Sequence, residues 1–98
     1  MGDFLMISSI NINELKETEN IIDIRNIEKY NYNHIPGAIN IPSEKLLLYP
    51  NKYLKKQEKY YIYCQHGQTS YNVCRILSNI GYNIVNLKGG YDNYIKKQ

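Results

Sequence analysis

The stretch YYIYCQHGQTS, Tyr60 to Ser70, decides how the rest of the chain is read. Tyr60, Tyr61, Ile62 and Tyr63 are β-favouring residues and predict a buried strand. Gly67 breaks the run, and a helix is expected from about Ser70 to Ile80. Within it Val73, Ile76, Leu77 and Ile80 fall at i, i+3, i+4 and i+7, a stripe expected to face the core. Gly81 then stands where a helix ends on a left-handed residue. The stretch is therefore a strand, a tight loop opened by Cys64, and a helix.

Working toward the C-terminus, Ile84, Val85 and Leu87 predict a further strand and Gly89-Gly90 a turn. Tyr91, Tyr94 and Ile95 predict one face of a closing helix. Toward the N-terminus, Ser43 is expected to cap a helix through Leu48 that Pro50 stops. Pro36-Gly37 predicts a type II turn, followed by a strand from Ala38 to Ile41. Ile27 to Tyr30 suits a brief helical turn, and Ile21, Ile22 and Ile24 a buried strand. Asn11 and Glu14 resemble a capping box over Ile12 to Lys16, and Phe4 to Ile7 predicts the first strand. Short apolar strands alternating with helices predict an α/β fold, a parallel sheet covered on both faces. Such sheets bind ligands at the carboxyl ends of their strands, where the Cys64 loop lies.

With 98 residues the chain has room for one core, and residues 4–97 are read as one domain. Two cysteines, Cys64 and Cys74, are too few for a disulfide scaffold. MGDFLMISS does not have the form of a secretory signal, so a reducing cytoplasmic setting and free thiols are expected. No apolar run is long enough for a membrane helix. The net charge of +3 and the lysines at 52, 55, 56 and 59 make no recognisable nucleic-acid module and are read as solubilising surface. The two His and two Cys have no metal-ligand spacing, and no cofactor is expected.

The chemistry gathers at Cys64. A helix N-terminus presents unpaired N–H groups and about half a positive charge, and a glycine loop can turn further amides inward. An ordinary thiol is only about 3% ionised at pH 7, so such a cradle favours the nucleophilic thiolate. Gln65, His66, Gly67, Gln68, Thr69 and Ser70 supply the loop amides and rim. The alternative, a buried cysteine acting as a small hydrophobe before a turn, stays open on the residues alone.

CQHGQTS resembles the active-site loop of the rhodaneses, and is similar above all to that of the single-domain thiosulfate sulfurtransferases. Three further segments match in order: IIDIR (21–25), HIPGAINIP (34–42) and LKGGYDNY (87–94). The resemblance implies a rhodanese-like three-layer α/β/α fold with a small, mostly parallel five-stranded sheet. It implies that Cys64 takes sulfur from thiosulfate or a persulfide donor and passes it to cyanide or a thiol. A carrier or docking module that passes persulfide sulfur to a partner protein is the alternative reading. A monomer without nucleic-acid or membrane partners is expected.

Many rhodaneses carry Arg where this chain has Thr69, which implies a weaker grip on an oxyanion. In cysteine phosphatases an Arg closes the loop, and Ser70 occupies that position here, which disfavours phosphate chemistry. Asp23 and Arg25 are expected to support the pocket, Asp23 by fixing the loop and Arg25 by pairing with a carboxylate. His66 reads equally as a substrate contact or a solvent-facing side chain, and His34, Pro36 and Gly37 as structural. Cys74 borders the apolar stripe, where a resolving disulfide with Cys64 is the weaker reading, and Arg75 is expected in solvent.

Overall fold

The β-branched and tyrosine-rich runs become strands in a computed structural model that describes residues 7–16 and 18–96. The strands are β1 (Ser8–Asn11), β2 (Ile21–Asp23), β3 (Ile39–Asn40), β4 (Lys59–Tyr63) and β5 (Asn83–Lys88). They form one five-stranded sheet in the order β1-β5-β4-β2-β3, with every neighbouring pair parallel. The helices are α1 (Ile27–Tyr32), α2 (Ser43–Leu48), α3 (Pro50–Tyr53), α4 (Gln68–Asn79) and α5 (Gly90–Ile95).

Alternation along the strands sends side chains to two cores. Ile22, Ile62 and Ile84 join Leu46 of α2 and Val73, Cys74 and Leu77 of α4 on one face. Ile21, Tyr61, Tyr63, Val85 and Leu87 join Tyr91 of α5 and Tyr30 of α1 on the other. The α/β/α layering expected from the alternating elements is what forms.

Several local expectations change. Phe4 to Met6 lie outside the described residues, and the first described strand begins at Ser8 instead of ending at Ile7. Asn11 caps a single 3-10 turn, Ile12–Glu14, accepting the Asn13 N–H at 2.9 Å. The turn stops before Lys16 because Leu15 adopts an extended backbone and packs, with Ile12, into the second core. Ser43 does not cap α2: Pro42 holds that position with no side-chain bond, and Ser43 is the first helical residue. Pro50 ends α2 as expected but also opens α3, where its missing N–H costs nothing.

The largest correction is the face of α4. Ser70, Val73, Cys74 and Leu77 are buried, whereas Ile76 and Ile80 are 40% and 48% exposed. At 3.6 residues per turn, the helix is rotated by about 60° from the all-aliphatic stripe. Ser70 is the reason: its amide and hydroxyl engage Cys64, which fixes the helix azimuth at its first turn. Cys74 thereby sits inside the core face, and Arg75 is half-buried instead of solvent-facing. The helix closes in a Schellman motif, with Tyr82 N–H on the Leu77 carbonyl and Gly81 N–H on that of Ser78, both at 3.1 Å.

Candidate active site

The parallel order places the ends of β2 and β4 side by side, so Asp23, Arg25 and Cys64 emerge at one edge. Cys64 is 6% exposed and packs in the first core. With Ile24, Arg25, Asn26, Lys29, Gln65, His66 and Thr69 it lines a cavity of about 240 Å³.

Two backbone donors aim at that sulfur: Gly67 N–H at 3.1 Å and Ser70 N–H at 3.2 Å. The loop turns tightly enough only because Gly67 adopts φ 107°, a left-handed backbone that caps α4. The bonds come from the N-cap and the first turn of a twelve-residue helix, whose dipole adds to them. Backbone donors placed in this way favour a negative charge on the sulfur.

The outer side of the loop is held by α5. Tyr91 N–H donates to the Cys64 carbonyl at 2.8 Å and Asp92 N–H to that of Gln65 at 2.9 Å. Gly90 makes this approach possible: a Cβ there would lie 2.6 Å from the Cys64 carbonyl oxygen. The helix thus turns the loop carbonyls outward and leaves the amides facing the sulfur.

Asp23 is fully buried and accepts from the Arg25 backbone N–H at 2.9 Å, from Nε and Nη2 of Arg25, and from the Tyr63 hydroxyl at 2.6 Å. Burial alone would lower the Arg25 pKa, but the bonds and charge of Asp23 outweigh it and hold the guanidinium above its ordinary value. Burial, then the bond to Asp23, pushes Tyr63 well above the phenolic range. Arg25 continues to Gln65 Oε1 at 3.0 Å and stacks 4.3 Å over the Tyr91 ring. Asp23 thus meets the backbone and side chain of Arg25, and Arg25 in turn meets the Asp23 carboxylate.

The remaining loop residues divide. Gln65 bridges Arg25 and Asp92, donating from Nε2 to Asp92 Oδ1 at 2.5 Å. The His66 ring also reaches Asp92 and stays largely exposed. The bonds from Gln65 and then His66 hold Asp92 below the usual carboxylate range. Gln68 and Thr69 are exposed, and of the two only Thr69 lines the pocket. Ser70 is not a rim residue: it is fully buried, with its hydroxyl 3.3 Å from the Cys64 sulfur. His34 binds the Tyr30 carbonyl and stacks on the Tyr30 ring. Burial pushes the Cys74 thiol up. Among the described residues, no group of three His, Cys, Asp or Glu side chains is gathered to hold a metal.

Three residues here escaped the sequence reading: Lys29, Asn86 and Asp92. Asn86 left a usable signal, a polar residue inside the apolar run Ile84 to Leu87. Lys29 and Asp92 left none, since exposed charges on short helices are ordinary.

A strand end, an amide-cradled cysteine and a Gly-Gly clamp are thus assembled, and the model of the rhodanese-like domain matches residues 10–97. The chain belongs to the rhodanese-like domain family. The rhodanese-like domain is 36% identical over 73 residues to the thiosulfate sulfurtransferase PspE of Escherichia coli K12, covering 74% of this chain and 70% of that protein. It is 32% identical over 82 residues to a Bacillus subtilis protein named as a sulfur carrier, YrkF, covering 83% of this chain. It spans only 44% of YrkF. Its fold matches a crystal structure from Staphylococcus saprophyticus, SSP1007, with TM-score 0.82 and 35% identity over 90% of this chain and 93% of that one.

Proposed function

We propose that this rhodanese-like domain transfers sulfane sulfur through a persulfide on Cys64. The observation that carries the reading is the pair of backbone N–H groups on the Cys64 sulfur at the floor of a small pocket. In the first step the Cys64 thiolate attacks the outer sulfur of thiosulfate or of a persulfide donor. A sulfur–sulfur bond forms to Cys64, and sulfite or the donor thiolate leaves with the electron pair. In the second step cyanide or a thiolate attacks the outer sulfur, and the Cys64 thiolate departs. The same amides serve each anion in turn, so little reorganises between steps.

Gln65, His66 and Thr69 form the pocket rim, and Arg25 with Asp23 holds Gln65 in place. Thr69 supplies no charge, but Lys29 of α1 lines the pocket, and among the described residues no carboxylate pairs with it. Lys29 is the cation that meets an incoming anionic donor.

A carrier role is the second reading, and the naming of YrkF as a sulfur carrier is what favours it. Turnover separates the two. With thiosulfate and cyanide, a sulfurtransferase forms thiocyanate continuously and stoichiometrically with sulfite. Release of sulfur to a protein thiol, with no thiosulfate turnover, would instead support the carrier. If neither donor loads Cys64, both readings fail.

A further inference from the structure

A buried polar chain runs inward from the catalytic sulfur, away from the substrate pocket. The Cys64 thiol donates to Ser70 Oγ at 3.3 Å, and the Ser70 hydroxyl donates to Asn86 Oδ1 at 2.8 Å. Asn86 stands on β5, 2% exposed, on the same sheet face as Ile84. Its Nδ2 donates to Ser9 Oγ of β1 at 3.3 Å, and the Ser9 hydroxyl returns to the Asn86 carbonyl at 3.3 Å. That second contact fixes which end of the amide faces Ser70. An asparagine at this depth carries a desolvation cost that aliphatic neighbours such as Ile84 avoid. None of its contacts is needed to complete the strand ladder.

The chain has a direction. Ser70 owns one hydroxyl proton, and three acceptors compete for it when the sulfur is ionised. Asn86 Oδ1 is at 2.8 Å, the Gly67 carbonyl at 3.2 Å and the sulfur at 3.3 Å. The amide oxygen is nearest and held rigid by the sheet. With the proton on Asn86, Ser70 offers the sulfur a lone pair and no donor, which suits a thiol better than a thiolate. Without Asn86 the Gly67 carbonyl and the sulfur remain at nearly equal distance, and the ionised sulfur is the stronger acceptor, so the hydroxyl becomes a third donor to the anion.

We propose that Asn86 is a positioning residue for the sulfur chemistry: by holding the Ser70 hydroxyl proton, it limits the Cys64 sulfur to its two backbone donors. The consequence is chemical. Thiolate nucleophilicity falls as the anion is stabilised, so an over-solvated sulfur attacks a donor slowly. Asn86 keeps the cradle strong enough to hold an anion and weak enough to leave it reactive. This rests on the reading of Cys64 as the sulfur-carrying residue.

The test is the pH profile of Cys64 alkylation by iodoacetamide, read by peptide mapping in the full chain. The surrounding titratable groups stay in place in every variant: Asp23 at the end of β2 and Arg25 just beyond it, Lys29 on α1, Tyr63 on β4, His66 in the loop, Cys74 on α4, and Tyr91 and Asp92 on α5. Asn86→Leu is expected to lower the alkylation midpoint by about one pH unit, a hydrogen bond to an ionised group gained. Asn86→Ala, which adds no bulk, gives the same sign. Ser70→Ala lowers the midpoint by less, since it removes only the acceptor of the thiol proton. In the double variant the Asn86 effect disappears, because it acts through the hydroxyl. A raised midpoint in Ser70→Ala, or an unmoved one in both Asn86 variants, would overturn the proposal. The sulfur-transfer reading fails separately, if the parent chain forms no persulfide on Cys64.

Discussion

Replacing Asp23 by Asn keeps the shape of the side chain and removes its charge. In the folded chain that carboxylate is fully buried and accepts four bonds from Arg25 and one from Tyr63, at 2.6–3.1 Å. The Arg25 side chain is only 5% exposed, so the variant strands an unpaired guanidinium in the protein interior. Breaking a buried pair from one side costs about 3–5 kcal/mol. With a urea m-value of about 1.5 kcal/mol/M, the unfolding midpoint falls by about 2–3 M. The assay is urea denaturation followed by circular dichroism at pH 7, with 0.1 and 1 M salt. Because buried charges are poorly screened, the loss should persist at the higher salt. Removing both charges, as Asp23→Leu with Arg25→Met, should recover most of the stability, since an apolar replacement avoids the desolvation cost. A loss below about 1 kcal/mol in Asp23→Asn would refute the reasoning, because it would place the pair in effective contact with water.

Leu77→Ala should cost about 2–5 kcal/mol in the same assay, whereas Ile76→Lys should stay within about 0.5 kcal/mol. Equal losses would restore the unrotated α4 stripe. Lys29→Ala should lower the ratio of iodoacetate to iodoacetamide alkylation of Cys64 by about two- to five-fold, and 1 M salt should erase the difference. Asp92, held below the ordinary carboxylate value chiefly by Gln65, stabilises the fold above about pH 4 and loses that contribution as pH falls through its depressed folded value. The stability gap between the parent chain and Asp92→Asn, compared by urea midpoints at pH 7 and pH 3, should therefore narrow at pH 3.

What the sequence made legible has a physical boundary. β4 and α4 announced themselves by composition and period, and Gly67, Gly81 and Gly90 marked places where the backbone must turn or approach closely. Cys64 was legible because strand, loop and helix meet there in consecutive residues. The azimuth of α4 was not, because periodicity finds a stripe but cannot see that Ser70 is pinned to a sulfur. Aliphatic residues at 76 and 80 then outweighed a serine and a cysteine that the fold buries. Contacts made across the sheet were also invisible: Gln65 with Asp92 and Ser70 with Asn86 are 27 and 16 residues apart. Such pairs depend on the strand order, which local pattern does not encode.

The central claim, that the sulfur of residue 64 accepts and holds a transferable sulfur atom, is tested most directly by mass. Parent chain and Cys64→Ala are incubated with excess thiosulfate, desalted, and analysed intact and as peptides. A gain of one sulfur on the peptide bearing Cys64, reversed by cyanide and absent from Cys64→Ala, is the predicted result. An unchanged mass, or sulfur found on Cys74 instead, would contradict the account.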